Sequence, residues 1–232
     1  MKYMGSKARH ANSICPIIQE HLKDEACYIE PFVGGCNIID RIDHPIRIGQ
    51  DINKYLITMW KELQNGWIPP DTVSEEEYIA VKTFPDTYPQ YLVGFVGIAC
   101  SYGAKWFGGY ARSSRRNYCA EGQRSVLRQV PKLKDIIFNC LPYNILHKKD
   151  CVYYCDPPYR DTVGYGMGHF DHDMFWDWCN REAEKNTVLV SEYTAPEGWE
   201  CIWKSITTSS LTKDTGDMYK TERLFINESS TS

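Results

Sequence analysis

Residues 151–159, CVYYCDPPY, join an apolar run to an acidic residue, two prolines and an aromatic ring. The run 151–155 has the length and composition of a buried β-strand, and Asp156 follows it directly. In open α/β sheets, ligands bind in the crevice outside the carboxyl ends of the strands. The stretch therefore predicts a strand of an α/β sheet that places Asp156 and Tyr159 at a binding crevice.

The groups at the end of this strand suit an amine on a flat heterocycle. Pro157 and Pro158 lack N–H donors and have fixed φ angles, so their carbonyls stay free and point in set directions. The Asp156 carboxylate and the Pro157 carbonyl are two acceptors for an NH2 group, and Tyr159 is a ring on which a base stacks. A plain strand followed by a proline turn is the alternative, because short motifs also arise by chance.

Strands alternate with helices on both sides of this stretch. Further strands are predicted at 27–30, 46–51, 187–193, 199–207 and 221–227, helices at 8–23, 54–65 and 171–185, and a Gly-rich loop at 160–169. Such alternation predicts a single α/β sheet.

The segment 66–140 interrupts this pattern and is predicted to be an insertion. It should contain a helix that begins with the capping box of Ser74 and Glu77, an apolar helix at 91–101, an exposed loop or hairpin at 103–123 and a short helix at 125–129. Residues 1–65 and 141–228 would then form the catalytic α/β domain, and the insertion would select the substrate.

Bulk composition excludes several classes of protein. The chain has 232 residues, enough for one α/β domain with an insertion. Its start lacks the apolar region of a signal peptide, and no apolar run approaches the roughly 20 residues that span a bilayer. The ten cysteines form no C-x-x-C pair, which disfavours zinc. Reduced thiols in a cytosolic protein are the expectation.

Basic residues concentrate in one part of an acidic chain. The net charge is −4, yet residues 105–135 contain eight basic and two acidic residues. A basic segment of this kind is the electrostatic footprint of a polyanion. A solvated charged face that binds nothing is the alternative.

A second motif indicates a ligand with an adenosine unit. Phe32, Gly34 and Gly35 follow the strand at 27–30, and glycines there allow a tight turn and a close approach to a ligand. Asp51 lies at the tip of the next strand, where an acid binds ribose hydroxyls in nucleotide-binding folds. Asp51 as the N-cap of the helix at 54–65 is the alternative. The chain contains neither a Walker-type phosphate loop nor a nucleophile elbow.

Four motifs in one order resemble the Dam-like, D12 class DNA adenine-N6 methyltransferases. They are KYMGSK at 2–7, EPFVGG at 30–35, QDIN at 50–53 and DPPY at 156–159. The resemblance covers about residues 1–66 and 150–227, whereas the middle corresponds to the family's target-recognition region only by position and charge. It implies a Rossmann-like methyltransferase sheet that binds S-adenosylmethionine (SAM).

By position, the resemblance also implies individual roles. The cofactor-binding residues would be Tyr3, Lys7, Phe32, Gly34, Asp51 and Asp156. The chain departs from the pattern at Cys36, which occupies the usual second glycine position, and at Tyr3, where the family often has Trp. The first change is expected to weaken SAM affinity, and neither removes a chemical role.

The implied reaction is direct methyl transfer to the N6 amine of a flipped-out adenine. Asp156 and the carbonyl of Pro157 would accept hydrogen bonds from the amine and direct its lone pair, and Tyr159 would stack on the base. S-adenosylhomocysteine would be the product, with no metal and no covalent intermediate. Cytosine-C5 methylation would need a Pro-Cys pair, which the sequence lacks.

Double-stranded DNA is the implied partner. The predicted DNA contacts are Lys105, Arg112, Arg115, Arg116, Asn117, Tyr118 and Arg124. A monomer would suffice for the chemistry, in the cytoplasm of a bacterial or phage-infected cell, as in restriction-modification systems.

Other readings stay open at this point. An N4-cytosine methyltransferase would use the same acceptors, although that class more often has Ser in place of Asp156. RNA could be the acceptor. A DNA-binding relative without catalysis would have lost SAM binding, against which Lys7, Asp51 and Asp156 argue. An NAD-dependent dehydrogenase is disfavoured, because the third glycine is missing.

Overall fold

A seven-stranded sheet forms the centre of the protein in the computed structural model, which describes residues 1–23, 25–159, 170–208 and 219–227. The strands are β1 (Cys27–Glu30), β2 (Arg47–Asp51), β3 (Ile136–Cys140), β4 (Cys151–Cys155), β5 (Thr187–Glu192), β6 (Trp199–Thr208) and β7 (Tyr219–Asn227). Their order is β3-β2-β1-β4-β5-β7-β6, and among these described strands only β7 runs antiparallel to its neighbours. The predicted α/β, Rossmann-like fold class is confirmed.

Helices cover both faces of the sheet. They are α1 (Ala11–Glu20), α2 (Lys54–Gln64), α3 (Glu75–Thr83), α4 (Gln90–Ala99), α5 (Tyr118–Leu133) and α6 (His172–Ala183). The predicted Gly-rich loop at 160–169 lies outside the described residues.

Alternating side chains of the strands build two hydrophobic layers. The first layer contains Tyr28, Val152, Tyr154 and Leu189 of the sheet, packed with Ile18 of α1, Trp60 of α2, Phe95 of α4 and Val126 of α5. The second contains Ile29, Tyr153, Cys155 and Val190, packed with Phe175 and Trp178 of α6. Because both faces are buried, the central strands are almost continuously apolar.

The direction of the chain along the sheet reverses between β1 and β4. From β1 the strand order proceeds to β2 and β3 on one side, and from β4 to β5 on the other. β1 and β4 pair in parallel, with Ile29 opposite Tyr153, so Glu30 and Asp156 follow at the same edge of the sheet. Such a switch point leaves a crevice at the carboxyl ends of the two strands. Both predicted motifs therefore emerge at one crevice.

The inserted segment is mainly helical but differs from the prediction at its end. Helix α5 starts at Tyr118, because the Asn117 side chain caps it by accepting a hydrogen bond from the Ala120 N–H. The predicted loop through residue 123 and the short helix at 125–129 are therefore wrong. Strand β3, which falls within the predicted insertion, pairs with β2 as the edge strand of the sheet. The division of the chain into domains stays a prediction.

Helix α4 packs closely on α2 because it contains glycine at the contact. A Cβ atom at Gly94 would collide with the backbone carbonyl of Tyr55, and one at Gly97 would lie 2.7 Å from the Trp106 ring. The glycines that lower the helix propensity of this segment are thus required by its packing. The predicted capping box at the start of α3 is present, with both Ser74–Glu77 hydrogen bonds formed.

Two cysteines form a disulfide, contrary to the expectation of reduced thiols throughout. Cys27 and Cys151 face each other at the starts of β1 and β4, with their Cα atoms 4.7 Å apart. They lie at the opposite end of these strands from the crevice. The remaining described cysteines are free thiols.

Candidate active site

The carboxyl end of β4 places Asp156 next to Lys7, which comes from the first motif of the chain. Lys7 begins a short 3-10 helix, Lys7–Arg9, at which the Ser6 hydroxyl accepts a hydrogen bond from the Ala8 N–H at 3.2 Å. The Lys7 Nζ lies 2.9 Å from Asp156 Oδ1, and the lysine side chain is only 7% exposed. Two residues predicted from distant motifs thus form a buried ion pair.

Tyr159 and Glu222 complete what we call the Lys7 cluster: Lys7, Asp156, Tyr159 and Glu222. The Lys7 Nζ lies 4.3 Å from the centroid of the Tyr159 ring and 3.6 Å from Glu222 Oε2. The Tyr159 hydroxyl donates a hydrogen bond to the same Glu222 oxygen at 2.8 Å. Glu222 was not predicted as a site residue, because it belongs to no motif and reaches the site only through the pairing of β7 with β5.

Burial and charge act against each other in the Lys7 cluster. Burial lowers the pKa of Lys7, but the carboxylates of Asp156 and Glu222 outweigh it, so this pKa lies above its ordinary value. Burial raises the pKa of Asp156; Lys7 offsets part of the rise, and the charge of Glu222 adds to it. Lys7 is therefore a cation at neutral pH that favours the carboxylate form of Asp156.

The acceptor carbonyl predicted at Pro157 is available in this arrangement. Pro157 is buried, and within residues 1–23, 25–159, 170–208 and 219–227 its carbonyl accepts no hydrogen bond. A carbonyl that no donor among these residues engages can accept a hydrogen bond from a ligand.

The glycine motif forms a sharp turn beneath the ring of Tyr3. Gly34 has a φ of +44°, and a Cβ atom on it would lie 2.9 Å from the Tyr3 ring. Its carbonyl accepts a hydrogen bond from Trp60 Nε1 at 3.0 Å, which anchors the turn to α2. Cys36, at the usual second glycine position, also has a positive φ of 54°. Glycine adopts this conformation without the steric cost that Cys36 carries.

Asp51 is tied to the same turn. Its Oδ2 accepts a hydrogen bond from the Gly34 N–H at 3.1 Å, and its Oδ1 accepts one from the Asn53 N–H at 2.9 Å. The N-cap of α2 is Asn53, so the capping alternative for Asp51 is wrong. Burial raises the pKa of Asp51 to about 6, although hydrogen bonds from backbone N–H groups hold it down. The turn thus presents a carboxylate at the end of β2.

Phe32 belongs to an aromatic group on the α6 side of the crevice. Its ring stacks on Tyr143 with the centroids 5.4 Å apart, and it contacts Phe170 and Phe175 edge-on at 5.8 and 5.7 Å. The position of Phe32 beside the glycine turn is as expected. Its contact with a cofactor stays a prediction.

Several of the predicted DNA contacts are engaged within the protein. Arg112 forms an ion pair with Glu75, and Arg116 forms one with Glu121 at 2.5 Å. Hydrogen bonds from Arg116 and Lys2 lower the pKa of Glu121 to about 2, despite an opposing desolvation effect. Sequence reasoning could not foresee the first pair, because Glu75 at the start of α3 is 37 residues from Arg112 in the segment before α5.

The remaining predicted contacts divide into two groups. Asn117 is occupied by the fold, since its amide N–H donates to the Asp71 carbonyl at 3.0 Å while its oxygen caps α5. Lys105, Arg115 and Arg124 form no ion pair within the part of the chain that the structure describes. These three cations are the ones available to an external anion.

A cleft of about 460 Å³ lies at the start of α5. Its lining includes Arg112, Arg116, Asn117 and Tyr118 together with Thr72 and Tyr110. The Arg116 guanidinium lies 4.8 Å from the Tyr118 ring centroid. Four of the predicted DNA contacts therefore share one surface feature.

Across the described ranges, every helix is too short or too polar to cross a bilayer. No cluster of three His, Cys, Asp or Glu side chains suited to a metal ion occurs in those same ranges.

Comparison with known proteins bears on the first part of the chain. Residues 3–92 match the family model of the D12 class N6 adenine-specific DNA methyltransferase. This match agrees with the family and the enzyme class that the sequence motifs predict. The comparison with curated proteins found no match.

Several solved structures are similar to this chain. One of them is the crystal structure of SMU.472, "a putative methyltransferase complexed with SAH", with a TM-score of 0.24 and 10% identity. The alignment covers 72% of this chain and 55% of the other.

Proposed function

Since residues 3–92 match the family model of the D12 class N6 adenine-specific DNA methyltransferases, we propose that the protein methylates the N6 amine of an adenine flipped out of a specific duplex DNA sequence. SAM supplies an electrophilic methyl group on a sulfonium when it is bound. The observation that carries the proposal is the buried Lys7–Asp156 pair at the switch point, beside the glycine turn.

The residues around the glycine turn fit an adenosine-containing cofactor. A side chain at Gly34 would collide with the Tyr3 ring, so the ring lies directly against the backbone of the turn. Asp51 lies at the end of β2 with its carboxylate held by two backbone N–H groups, and such a carboxylate can accept further hydrogen bonds from ribose hydroxyls. Tyr3, Gly34 and Asp51 would thus hold SAM, with Lys7 and Phe32 beside it.

Asp156 and Pro157 would activate the target amine. The lone pair of an adenine amine is delocalised into the ring, which makes it a poor nucleophile. Hydrogen bonds from the amine to the Asp156 carboxylate and the Pro157 carbonyl would draw that lone pair out of conjugation and towards the methyl group. Acceptors fixed in a buried site need no reorganisation during the reaction, and this is a large part of their catalytic effect.

Stacking of the base on Tyr159 requires a change at this ring. Tyr159 is only 8% exposed, with the Lys7 ammonium over its ring and Tyr193 packed in a T-shaped arrangement at 4.6 Å. A flipped base can stack only on a face that becomes uncovered. We propose that base entry displaces Tyr193 from the Tyr159 ring.

The pH dependence of SAM binding tests the role of Asp51. We expect affinity to fall as the pH is lowered through about 6, because the carboxylate whose pKa is raised by burial then becomes protonated. Asp51→Asn should bind about 10-fold more weakly at neutral pH and lose this pH dependence, since a charge-assisted hydrogen bond is worth about 1.5–3 kcal/mol. Calorimetric titration with SAM above and below pH 6 measures both, with the exposed Asp43→Asn as the control. Wild-type affinity in Asp51→Asn would remove Asp51 from the cofactor site.

Replacement of two arginines tests the DNA surface. We expect Arg115→Ala with Arg124→Ala to weaken DNA binding and to reduce the slope of log K against log salt by about 2, because both cations are available to phosphates and each lost phosphate contact removes about 1. SAM affinity should not change. The matched control is Arg181→Ala with Lys185→Ala, on or next to α6 across the sheet. Fluorescence anisotropy over a salt series is the measurement, and an unchanged slope would place the DNA site elsewhere.

The proposed reaction is tested by product analysis. The purified protein is incubated with isotope-labelled SAM and either unmethylated duplex DNA or RNA, and the digested nucleosides are identified by mass spectrometry. Label in N6-methyldeoxyadenosine supports the proposal. Label in N4-methyldeoxycytidine would overturn the choice of base, and label only in an RNA substrate would overturn the choice of nucleic acid.

A further inference from the structure

Glu222 contributes a charge to the active site that no predicted role explains. Its carboxylate comes from β7, far along the chain from the four motifs, and its side chain is only 16% exposed. A half-buried carboxylate normally costs free energy unless it is paired. Glu222 is paired with two groups of the Lys7 cluster at once.

The two contacts of Glu222 fix two different degrees of freedom. The 3.6 Å approach to Lys7 Nζ gives the ammonium a second carboxylate partner besides Asp156. The hydrogen bond from the Tyr159 hydroxyl, at 2.8 Å, limits rotation and tilt of that ring. Without Glu222, the Lys7 ammonium would have Asp156 as its sole carboxylate partner among the described residues.

We propose that Glu222 is a positioning residue that holds the Lys7 ammonium and the Tyr159 ring at fixed places beside the Asp156 carboxylate. The inference rests on the function proposed above. Because the ammonium is shared between two carboxylates, Asp156 does not use all of its acceptor capacity in the ion pair. It can then accept a hydrogen bond from the target amine. Glu222 itself would contact neither the base nor the cofactor.

The effect of Glu222 on the pKa of Asp156 adds to the effects of the other titratable groups in this region. Together these groups are Lys7 and His10 from the N-terminal segment, Glu30 of β1, Tyr154 of β4, Tyr159, Tyr193 after β5 and Glu222 of β7. Among them Glu222 is a carboxylate that shares a cation with Asp156, and its charge raises the pKa of Asp156. Removal of that charge alone should therefore move the acidic limb of the pH profile to lower pH.

Two substitutions separate the charge from the hydrogen bond. Glu222→Gln keeps an acceptor for the Tyr159 hydroxyl and loses the charge, whereas Glu222→Ala loses both. We expect kcat to fall about 10-fold in Glu222→Gln and about 100-fold in Glu222→Ala, because small misplacements of reacting groups cost about that much. The KM for SAM should stay unchanged, and the acidic limb of kcat should shift to lower pH in Glu222→Gln. Glu200→Gln, an exposed position on β6, is the control.

A second readout separates this inference from the reaction itself. Lys7 Nζ is observed by NMR in protein labelled with 15N-lysine and titrated with pH. Glu222→Gln should lower the pKa of Lys7 and change the chemical shift of its ammonium, whether or not the wild type methylates DNA. If the wild type forms no N6-methyladenine, the proposed function fails. The titration still tests whether Glu222 holds the Lys7 ammonium. Wild-type kcat, pH profile and Lys7 titration in both variants would overturn the inference.

Discussion

Asp156→Ala is expected to abolish methyl transfer to adenine while the protein stays folded. The substitution removes the charged acceptor that would direct the amine lone pair, and one well-placed group of this kind is worth about 10²–10³ in kcat. It also removes the anion that lies 2.9 Å from Lys7 Nζ. Because both effects fall on the chemical step, we expect a total loss of about 10³-fold or more. Single-turnover kinetics with labelled SAM measures the step directly.

Two comparisons make this result interpretable. Asp156→Asn keeps the shape and one acceptor oxygen, so its loss should be smaller than that of Asp156→Ala. Asp177→Ala removes a carboxylate from the exposed side of α6 and should have wild-type activity. Circular dichroism and thermal unfolding confirm that each variant is folded. Near-normal turnover in Asp156→Ala would eliminate Asp156 as the amine acceptor.

Lys7→Met is expected to lower both stability and activity. The substitution fills the space of the lysine but leaves the carboxylates of Asp156 and Glu222 buried without their cation. Breaking a buried ion pair by removing one partner costs about 3–5 kcal/mol. Urea unfolding measures this loss, and the exposed Lys2→Met, at a side chain 71% accessible, is the control.

The pH dependence of this loss has a definite sign. In the wild type the folded pKa of Lys7 lies above its unfolded value, so its contribution to stability is present throughout the neutral range and is lost only as the pH rises through the folded pKa. In Lys7→Met the pKa of Asp156, already raised by burial, loses the cation that held it down. Protonation of Asp156 in the variant removes the unpaired buried charge. The difference in unfolding free energy between wild type and variant should therefore become smaller as the pH is lowered from neutral. A deficit that grows towards acid pH would contradict the ion-pair account.

The local features of this site were predictable because each depends on a few adjacent residues. The strand at 151–155 delivers Asp156 as its pattern indicates, and the glycine turn and Asp51 meet at the carboxyl ends of β1 and β2. Parallel strands share that edge by geometry, so strand prediction alone brings these groups to one side of the sheet.

Features that depend on distant pairing could not be predicted in this way. Glu222 enters the site through the antiparallel register of β7 with β5, where Arg223 lies opposite Glu192. The disulfide between Cys27 and Cys151 likewise follows from the register of two strands that are far apart in the chain. A composition of ten cysteines without paired spacing contains no information about such a register.

The start of α5 was missed for a different reason. Glycine, arginine and tyrosine residues before Asn117 indicate an irregular segment, and Gly122 lowers the helix propensity of the turn that follows. The packing of α5 on α4 outweighs this low propensity and requires the glycine, because a Cβ atom on Gly122 would lie 2.6 Å from the Cβ of Ala99. The glycine is there for the close contact of α5 with α4.

The placement of α5 and α6 on opposite faces of the sheet separates exposed basic side chains from exposed acidic ones. Exposed Arg124 and Arg128 lie on α5, whereas exposed Asp173 and Asp177 lie on α6. A polyanion would attract the first face and repel the second over about a Debye length, roughly 10 Å at 0.1 M salt. In diffusional encounters, DNA would therefore tend to meet the protein on the face that carries α5. Added salt would lower the association rate constant more than it raises the dissociation rate constant.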